Sequence, residues 1–280
     1  MQSHAMNTPI PYRTGERLLT IEKLGLSYDK PVLANISVSI DNIIREGMSQ
    51  GQVVCLLGPS GIGKTQLFRC IAGLQAPSAG GVFLNGRRTV VVPGEVGVVA
   101  QNYPLLNHRT VLGNLMVAAR TKVSSEKDAL ERSLEMLRDF GLEGKALCYP
   151  ASLSGGQRQR IAIAQQLLCS SHFLLMDEPF SGLDPHAKHK VCETVLKVST
   201  MDELNTIIVV THDIEASLCI ADTLWLLGRD FDKNGRPLPG AGIKYKYDLI
   251  ARGLAWHRDI QETPEFFELA RELKQRFTEL

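Results

Sequence analysis

Three short stretches of this chain carry residue types that handle phosphate and water. Gly58-Pro59-Ser60-Gly61-Ile62-Gly63-Lys64-Thr65 fits the pattern G-x-x-x-x-G-K-[ST]. Glycines let the backbone curl until successive N–H groups face one anion. A helix starting at the same place adds partial positive charge. Lys64 would then reach the β- and γ-phosphates of a nucleotide, and the Thr65 hydroxyl would ligate Mg²⁺. The second stretch, Phe173–Met176, is apolar and ends in Asp177-Glu178. One carboxylate there can hold a metal ion and its neighbour can polarise a water for attack. The third, Leu153-Ser154-Gly155-Gly156-Gln157, pairs a good helix cap with two bare backbone units, a second anion-binding helix start. Alone, Asp-Glu is most often a solvated pair and Ser-Gly-Gly a plain cap. Downstream of a phosphate cradle, both read as chemistry.

These residues need a scaffold. Leu18–Ile21 and Ile36–Ile40 read as strands, the latter alternating at Ile36, Val38 and Ile40. Gln52–Leu57 is a β-rich run ending at Gly58, and Leu67, Ile71 and Leu74 follow at helical spacing. Val82–Leu84, Thr89–Val92 and Val96–Ala100 read as further strands, with Asn85-Gly86 as a turn. Ser125 caps a predicted helix with Leu130, Leu134 and Leu137 as its apolar face, and Gly141 ends it. Phe173–Met176 and Thr206–Val210 bracket a helix near 186–200. Such alternation predicts a buried, mostly parallel sheet. Residues 228–243 read as a turn or hairpin. Thr263 and Pro264 start a final helix with Phe266, Leu269, Leu273, Phe277 and Leu280 in one stripe.

Composition narrows the function classes. The 280 residues carry 31 Lys plus Arg against 30 Asp plus Glu, a formal charge of +1. That balance lacks the basic footprint of a nucleic-acid binder. The longest apolar runs are five residues, Val53–Leu57 and Leu115–Ala119; a membrane span needs roughly 20. Met1–Arg17 is polar and reads as no signal peptide. The six cysteines are scattered, without C-x-x-C pairs, as reduced cytosolic thiols are.

With the three elements in this order, the chain resembles the ATP-binding subunit of an ABC transporter. Leu153–Gln157 is that family's signature LSGGQ without substitution, and Arg158-Gln159-Arg160 after it is also typical. The resemblance covers residues 18–227 and implies an α/β P-loop NTPase fold of the ABC type. That fold has a mainly parallel core sheet, an N-terminal antiparallel β subdomain and a helical subdomain near 102–152. Residues 228–280 would be a C-terminal hairpin and α-helical extension. By the same resemblance, Tyr28 stacks on adenine and Gln101 contacts Mg²⁺ and the attacking water. Ser181-Gly182-Leu183-Asp184 forms the D-loop, and His212 contacts the γ-phosphate. Glu178 is the general base, and Asp177 and Thr65 hold Mg²⁺. Two subunits would pair head to tail, so that Ser154, Gly155, Gly156 and Gln157 meet the partner's ATP. Closure on ATP and reopening after hydrolysis would do the work.

The resemblance further implies integral-membrane permease subunits, a periplasmic substrate-binding protein, and a cytoplasmic position on the inner face of the membrane. Nitrate, sulfonate and taurine uptake ATPases are the nearest likeness. The alternative is an ABC-type ATPase acting on the ribosome or on DNA. Ribosome-acting members usually hold two cassettes in one chain, and chromosome-organising members put coiled coils between the cradle and the signature. Here Lys64 and Ser154 are 90 residues apart with no heptads. Three departures stand out. Asp41–Gln50 lengthens a connection that is usually a tight turn and reads as a surface loop. Gln165-Gln166 stands where Arg-Ala is common. Asp230–Gly235 matches the first half of a Ca²⁺ loop, but its twelfth position is Ala241 rather than a bidentate Glu, so a hairpin is the better reading.

Overall fold

The computed structural model describes residues 12–45, 47, 50–170, 172–256 and 260–280. The first eleven residues of the polar N-terminal stretch therefore lie outside the described residues. In chain order the elements are β1 (Tyr12–Ser27), β2 (Pro31–Arg45), β3 (Gln52–Leu57), α1 (Lys64–Ile71), β4 (Ala79–Leu84) and β5 (Gly97–Val99). Then come α2 (Val111–Ala119), α3 (Glu126–Asp139), α4 (Gly155–Cys169), β6 (Phe173–Asp177), α5 (Pro185–Ser199) and β7 (Thr206–Thr211). The last are α6 (Ile214–Ile220), β8 (Thr223–Gly228), β9 (Gly242–Asp248) and α7 (Pro264–Thr278).

Two sheets form. β2-β1-β4 is antiparallel, and β5-β6-β7-β3-β8-β9 is parallel except for β9, which runs antiparallel to β8. Every residue of β3 and β7 is buried, as expected of central strands covered on both faces. Side-chain alternation along β3 splits the core in two. Val53, Cys55 and Leu57 join the side packed by α2 to α7, while Val54 and Leu56 join the side packed by α1 and the antiparallel sheet. The Gly58–Thr65 turn and Asp177-Glu178 lie at the C-terminal ends of β3 and β6.

Several local expectations are revised. Asp41–Arg45 is not a surface loop but the end of β2, paired to Tyr12–Arg17 in register Tyr12↔Arg45 and Arg17↔Asp41. Of the remaining connection, Glu46, Met48 and Ser49 lie outside the described residues. The extended hairpin buries Arg45 in a cluster. Its Nη1 donates to Gly51 O at 3.4 Å, its Nη2 lies 3.4 Å from Asp222 Oδ1, and its guanidinium sits 3.5 Å from the Trp256 ring centroid. Thr89–Val92 is not a strand; only Val90 bridges to Phe83. α1 stops at Ile71 because Gly73 turns the chain at positive φ, which leaves Leu74 half-exposed outside the helix.

In α3 the buried face is Ala129, Ser133 and Leu137, while Leu130 and Leu134 face outward. Small residues at 129 and 133 suit a helix seated against α2 and α4, and Ser133 hides its hydroxyl by donating to Ala129 O at 2.7 Å. The hairpin expected at 228–243 is present, and β9 is its second strand. It adds a sixth strand to the main sheet after a tight turn at Asp232–Arg236, where Asp232 Oδ1 accepts from Asn234 N and Arg236 N. The apolar stripe of α7 does face inward, with Phe266, Leu269 and Leu273 buried.

Candidate functional site

The cradle is built at the turn from β3 into α1. A Cβ on Gly58 would lie 2.8 Å from Leu227 O, and Gly63 sits at φ 114°, a region L side chains avoid. α1 therefore opens with no side-chain cap, leaving N–H groups of its first turn to an outside acceptor. Lys64 Nζ donates to Gly58 O at 2.7 Å and Pro59 O at 3.1 Å, and lies 3.6 Å from Glu178 Oε1. Burial lowers its pKa, against the pull of Glu178. Tyr28, Ser60, Gly61, Lys64, Thr65 and Glu178 share the walls of one open cavity of about 360 Å³. Tyr28 is 57% exposed, and its hydroxyl donates to Gln66 Oε1 at 3.0 Å. Its ring thus stands at the cavity rim. Ile62 points the other way, into the core, so this position can offer an anion only its backbone.

The carboxylates arrive from β6, two strands from β3 in the sheet. Asp177 Oδ1 is buried and has no hydrogen-bond partner. Burial, and then the charge of Glu178, raise the Asp177 pKa. An unpartnered buried carboxylate oxygen close to a phosphate cradle fits a hard divalent cation, which takes oxygen ligands. Glu178 adopts φ 47°, a conformation that costs a non-glycine residue roughly 1–3 kcal/mol. It is held there from three directions. Its N–H donates to Val210 O at 2.8 Å, its Oε2 accepts from Thr211 Oγ1 at 3.0 Å, and His212 Nδ1 lies 3.0 Å from the same oxygen. Glu178, His212 and Lys64 therefore form one linked group. Thr211 was missed in the sequence; its place immediately before His212 at the end of β7 was the only signal.

The other expected residues lie elsewhere. Gln101 is exposed in the turn after β5 and does not line the Lys64 cavity. Asp184 caps α5, accepting from Ala187 N at 3.0 Å, and that backbone bond holds its pKa low. Ser154 and Gln157 make a reciprocal capping box on α4. Gly155 and Gly156 are exposed; a Cβ added to either would meet nothing within 4 Å, and neither has positive φ. Gln166, which departs from the common pattern, accepts from Val98 N at 3.0 Å. It thereby satisfies a backbone donor on edge strand β5 from helix α4.

A glycine-rich strand-to-helix turn with an invading lysine, opposed by an acidic strand end in the same parallel sheet, defines a P-loop nucleotide-binding domain. The ABC transporter family profile matches residues 42–181. A sulfate/thiosulfate import ATP-binding protein of Chromobacterium violaceum is 40% identical over 67% of this chain and 52% of its own length. The arginine transport ATP-binding protein of Bacillus subtilis is 35% identical over 73% of this chain and 85% of its own. The taurine import ATP-binding protein of Shigella dysenteriae is 33% identical over 90% and 94%. Among solved structures, cbiO1 of Clostridium perfringens, part of the cbiONQ transporter complex, aligns with a TM-score of 0.65 at 26% identity over 81% and 89% of the two chains. A dimeric ATP-binding cassette in a post-hydrolysis state with ADP and Pi aligns at 0.64 and 25% over 83% and 99%. The chain belongs to the ABC transporter ATP-binding family. It spans about half the length of the sulfate/thiosulfate relative and nearly all of the taurine one. Among the described residues no helix is long and apolar enough to cross a membrane.

Proposed function

We propose that this chain hydrolyses ATP and so powers import of a small solute through a separate membrane permease. The observation that carries the chemistry is the linked group Lys64–Glu178–His212 beside the unpartnered Asp177 oxygen. In this reading the Gly58–Thr65 turn binds the phosphates, with Lys64 exchanging its loop carbonyls for phosphate oxygens. Tyr28 packs on the adenine face. Asp177 and Thr65, with Gln101 moving in, hold Mg²⁺, which supplies charge neutralisation at the phosphates. Glu178 accepts a proton from the attacking water, and His212 orients Glu178 and faces the γ-phosphate.

Ser154, Gly155 and Gly156, with Gln157 bracing the cap and Asp184 nearby in the D-loop, serve a partner's nucleotide in a head-to-tail homodimer. The two glycines support this reading, because nothing in their own chain requires them. Residues 18–227 would be the ATPase domain and 228–280 an extension that packs on it. Permease subunits and a periplasmic binding protein complete the assembly, and the chain would lie on the cytoplasmic face of the membrane without contacting nucleic acid. The names of the relatives support import.

The test is ATP turnover by the purified chain together with its company in detergent-extracted membranes. Mg²⁺-dependent turnover and a co-purifying polytopic protein support the proposal. Absence of turnover, or association with ribosomes or DNA instead, overturns it.

A further inference from the structure

α7 presents two faces. Phe266, Leu269 and Leu273 are buried against the domain, while Phe267, Arg271 and Lys274, at i, i+4 and i+7, line a cavity of about 650 Å³ facing α5 and α6. This is larger than the cavity at Lys64 and falls in the range of small-molecule sites, roughly 300–1,000 Å³. Its floor is apolar, with Cys192, Ala216, Phe266 and Ala270 all buried. Phe267 stands at the rim, 60% exposed and edge-on to Phe266 at 5.7 Å between centroids.

The charges on the rim are nearly all spent. Lys188 pairs with Asp213 at 2.5 Å, Lys274 with Glu215 at 2.8 Å, and His189 faces Glu193 at 3.5 Å. Among the described residues Arg271 has no ion-pair or hydrogen-bond partner. The cavity therefore offers an apolar floor, one open aromatic ring and one uncompensated guanidinium a helical turn away.

We propose that the α5–α6–α7 cavity binds a small organic anion, with its apolar or aromatic body against Phe267 and its acidic group on Arg271. The guanidinium fork matches a carboxylate, sulfonate or phosphate. The site is separate from the nucleotide cradle, yet Asp213 on its wall follows His212 directly in the chain.

The experiment uses the full chain and 1-anilinonaphthalene-8-sulfonate as probe, with neutral N-phenyl-1-naphthylamine as control. Saturable binding at one site per chain is expected, unaffected by Lys64→Ala. Arg271→Glu and Phe267→Ala should each weaken it at least about tenfold, and Arg271→Lys, which keeps the charge but not the fork, should weaken it less than Arg271→Glu. Both altered side chains are exposed, and unchanged far-ultraviolet dichroism checks the fold. Binding that does not saturate, that is equal for the neutral control, or that survives both substitutions overturns the proposal. So does loss of binding as chain concentration rises, because a second copy would then be the occupant.

Discussion

Removing Arg45 should expose how the extended β1–β2 hairpin is tied to the domain. Asp222 is fully buried and accepts from Val53 N at 2.7 Å, with the Arg45 guanidinium 3.4 Å away as its counter-ion. Burial pushes the Asp222 pKa up to about 6, with Arg45 and the Val53 N–H acting in the opposite direction. Arg45→Met fills a similar volume but strands a carboxylate in the core, and breaking a buried pair this way costs about 3–5 kcal/mol. Protonation of Asp222 caps that cost at pH 8 at about 2.7 kcal/mol, two pH units above a pKa of about 6, so at the ~2–4 °C per kcal/mol typical of chains near this size Tm should fall by about 5–11 °C.

The sign of the pH dependence is fixed. A carboxylate whose folded pKa lies above its unfolded value gives most stability below the unfolded value near 3.8 and loses it as pH rises through the folded one. For the wild type the whole loss from this group is about 3 kcal/mol, most of it between pH 4 and pH 7. Without Arg45 the folded pKa climbs further, so the variant's deficit should be small at pH 5 and should grow with pH above about 6, to be large at pH 8. Adding Asp222→Asn keeps an acceptor for Val53 N–H and removes the stranded charge, so the double variant should recover about 2 kcal/mol or more at pH 8. Thermal melts at both pH values decide the matter. A deficit that is the same at both, or a double variant no more stable than the single, would refute the reasoning.

Four further outcomes are expected. Glu178→Gln should lower ATP turnover by about 10²–10⁴ while nucleotide stays bound; equal turnover in both proteins, measured by phosphate release, contradicts the base assignment. Lys64→Ala should weaken ATP binding by about 10–150-fold, the value of a lost charge-assisted hydrogen bond, as read by titration calorimetry. Tyr28→Ala should cost about 1–3 kcal/mol of ATP affinity with the Mg²⁺ dependence of binding unchanged. Gln166→Ala leaves the Val98 N–H unsatisfied and should destabilise by about 1–3 kcal/mol. Gln166→Glu, which still accepts that bond, should lose less in the same denaturant midpoint.

The cradle was legible because its chemistry is local. Strand, glycines, lysine and helix follow one another within fourteen residues from Gln52 to Thr65. The signature cap was legible for the same reason. What failed depends on partners far away in the chain. Asp41–Gln50 reads as a surface loop, yet Ile43 and Ile44 complete β2 because Thr14 and Arg13 lie opposite them. In α3, spacing alone cannot choose between a leucine face and an Ala129–Ser133–Leu137 face; close approach of the neighbouring helices decides for the smaller side chains. β9 is a different case: Ile243, Tyr245 and Tyr247 alternate strictly with Lys244 and Lys246, a period-2 strand pattern that lies in the sequence itself.

The same contrast separates two kinds of glycine. Gly58 and Gly63 are required from within, one by the approach of Leu227 O and the other by its backbone angle. Gly155 and Gly156 meet neither condition, and a side chain at either would stand in open solvent. α4 already has its capping box from Ser154 and Gln157, so bare positions there add conformational entropy cost without any return inside the chain. In the proposed head-to-tail dimer, the close approach of this backbone to a partner's phosphates would account for them. In that proposed dimer the cap at one end of α4 would face a partner, while Gln166 near the other end fastens the helix to β5, the strand that leads into Gln101. A movement imposed on the signature by a second subunit would reach Gln101 through one rigid helix and one hydrogen bond.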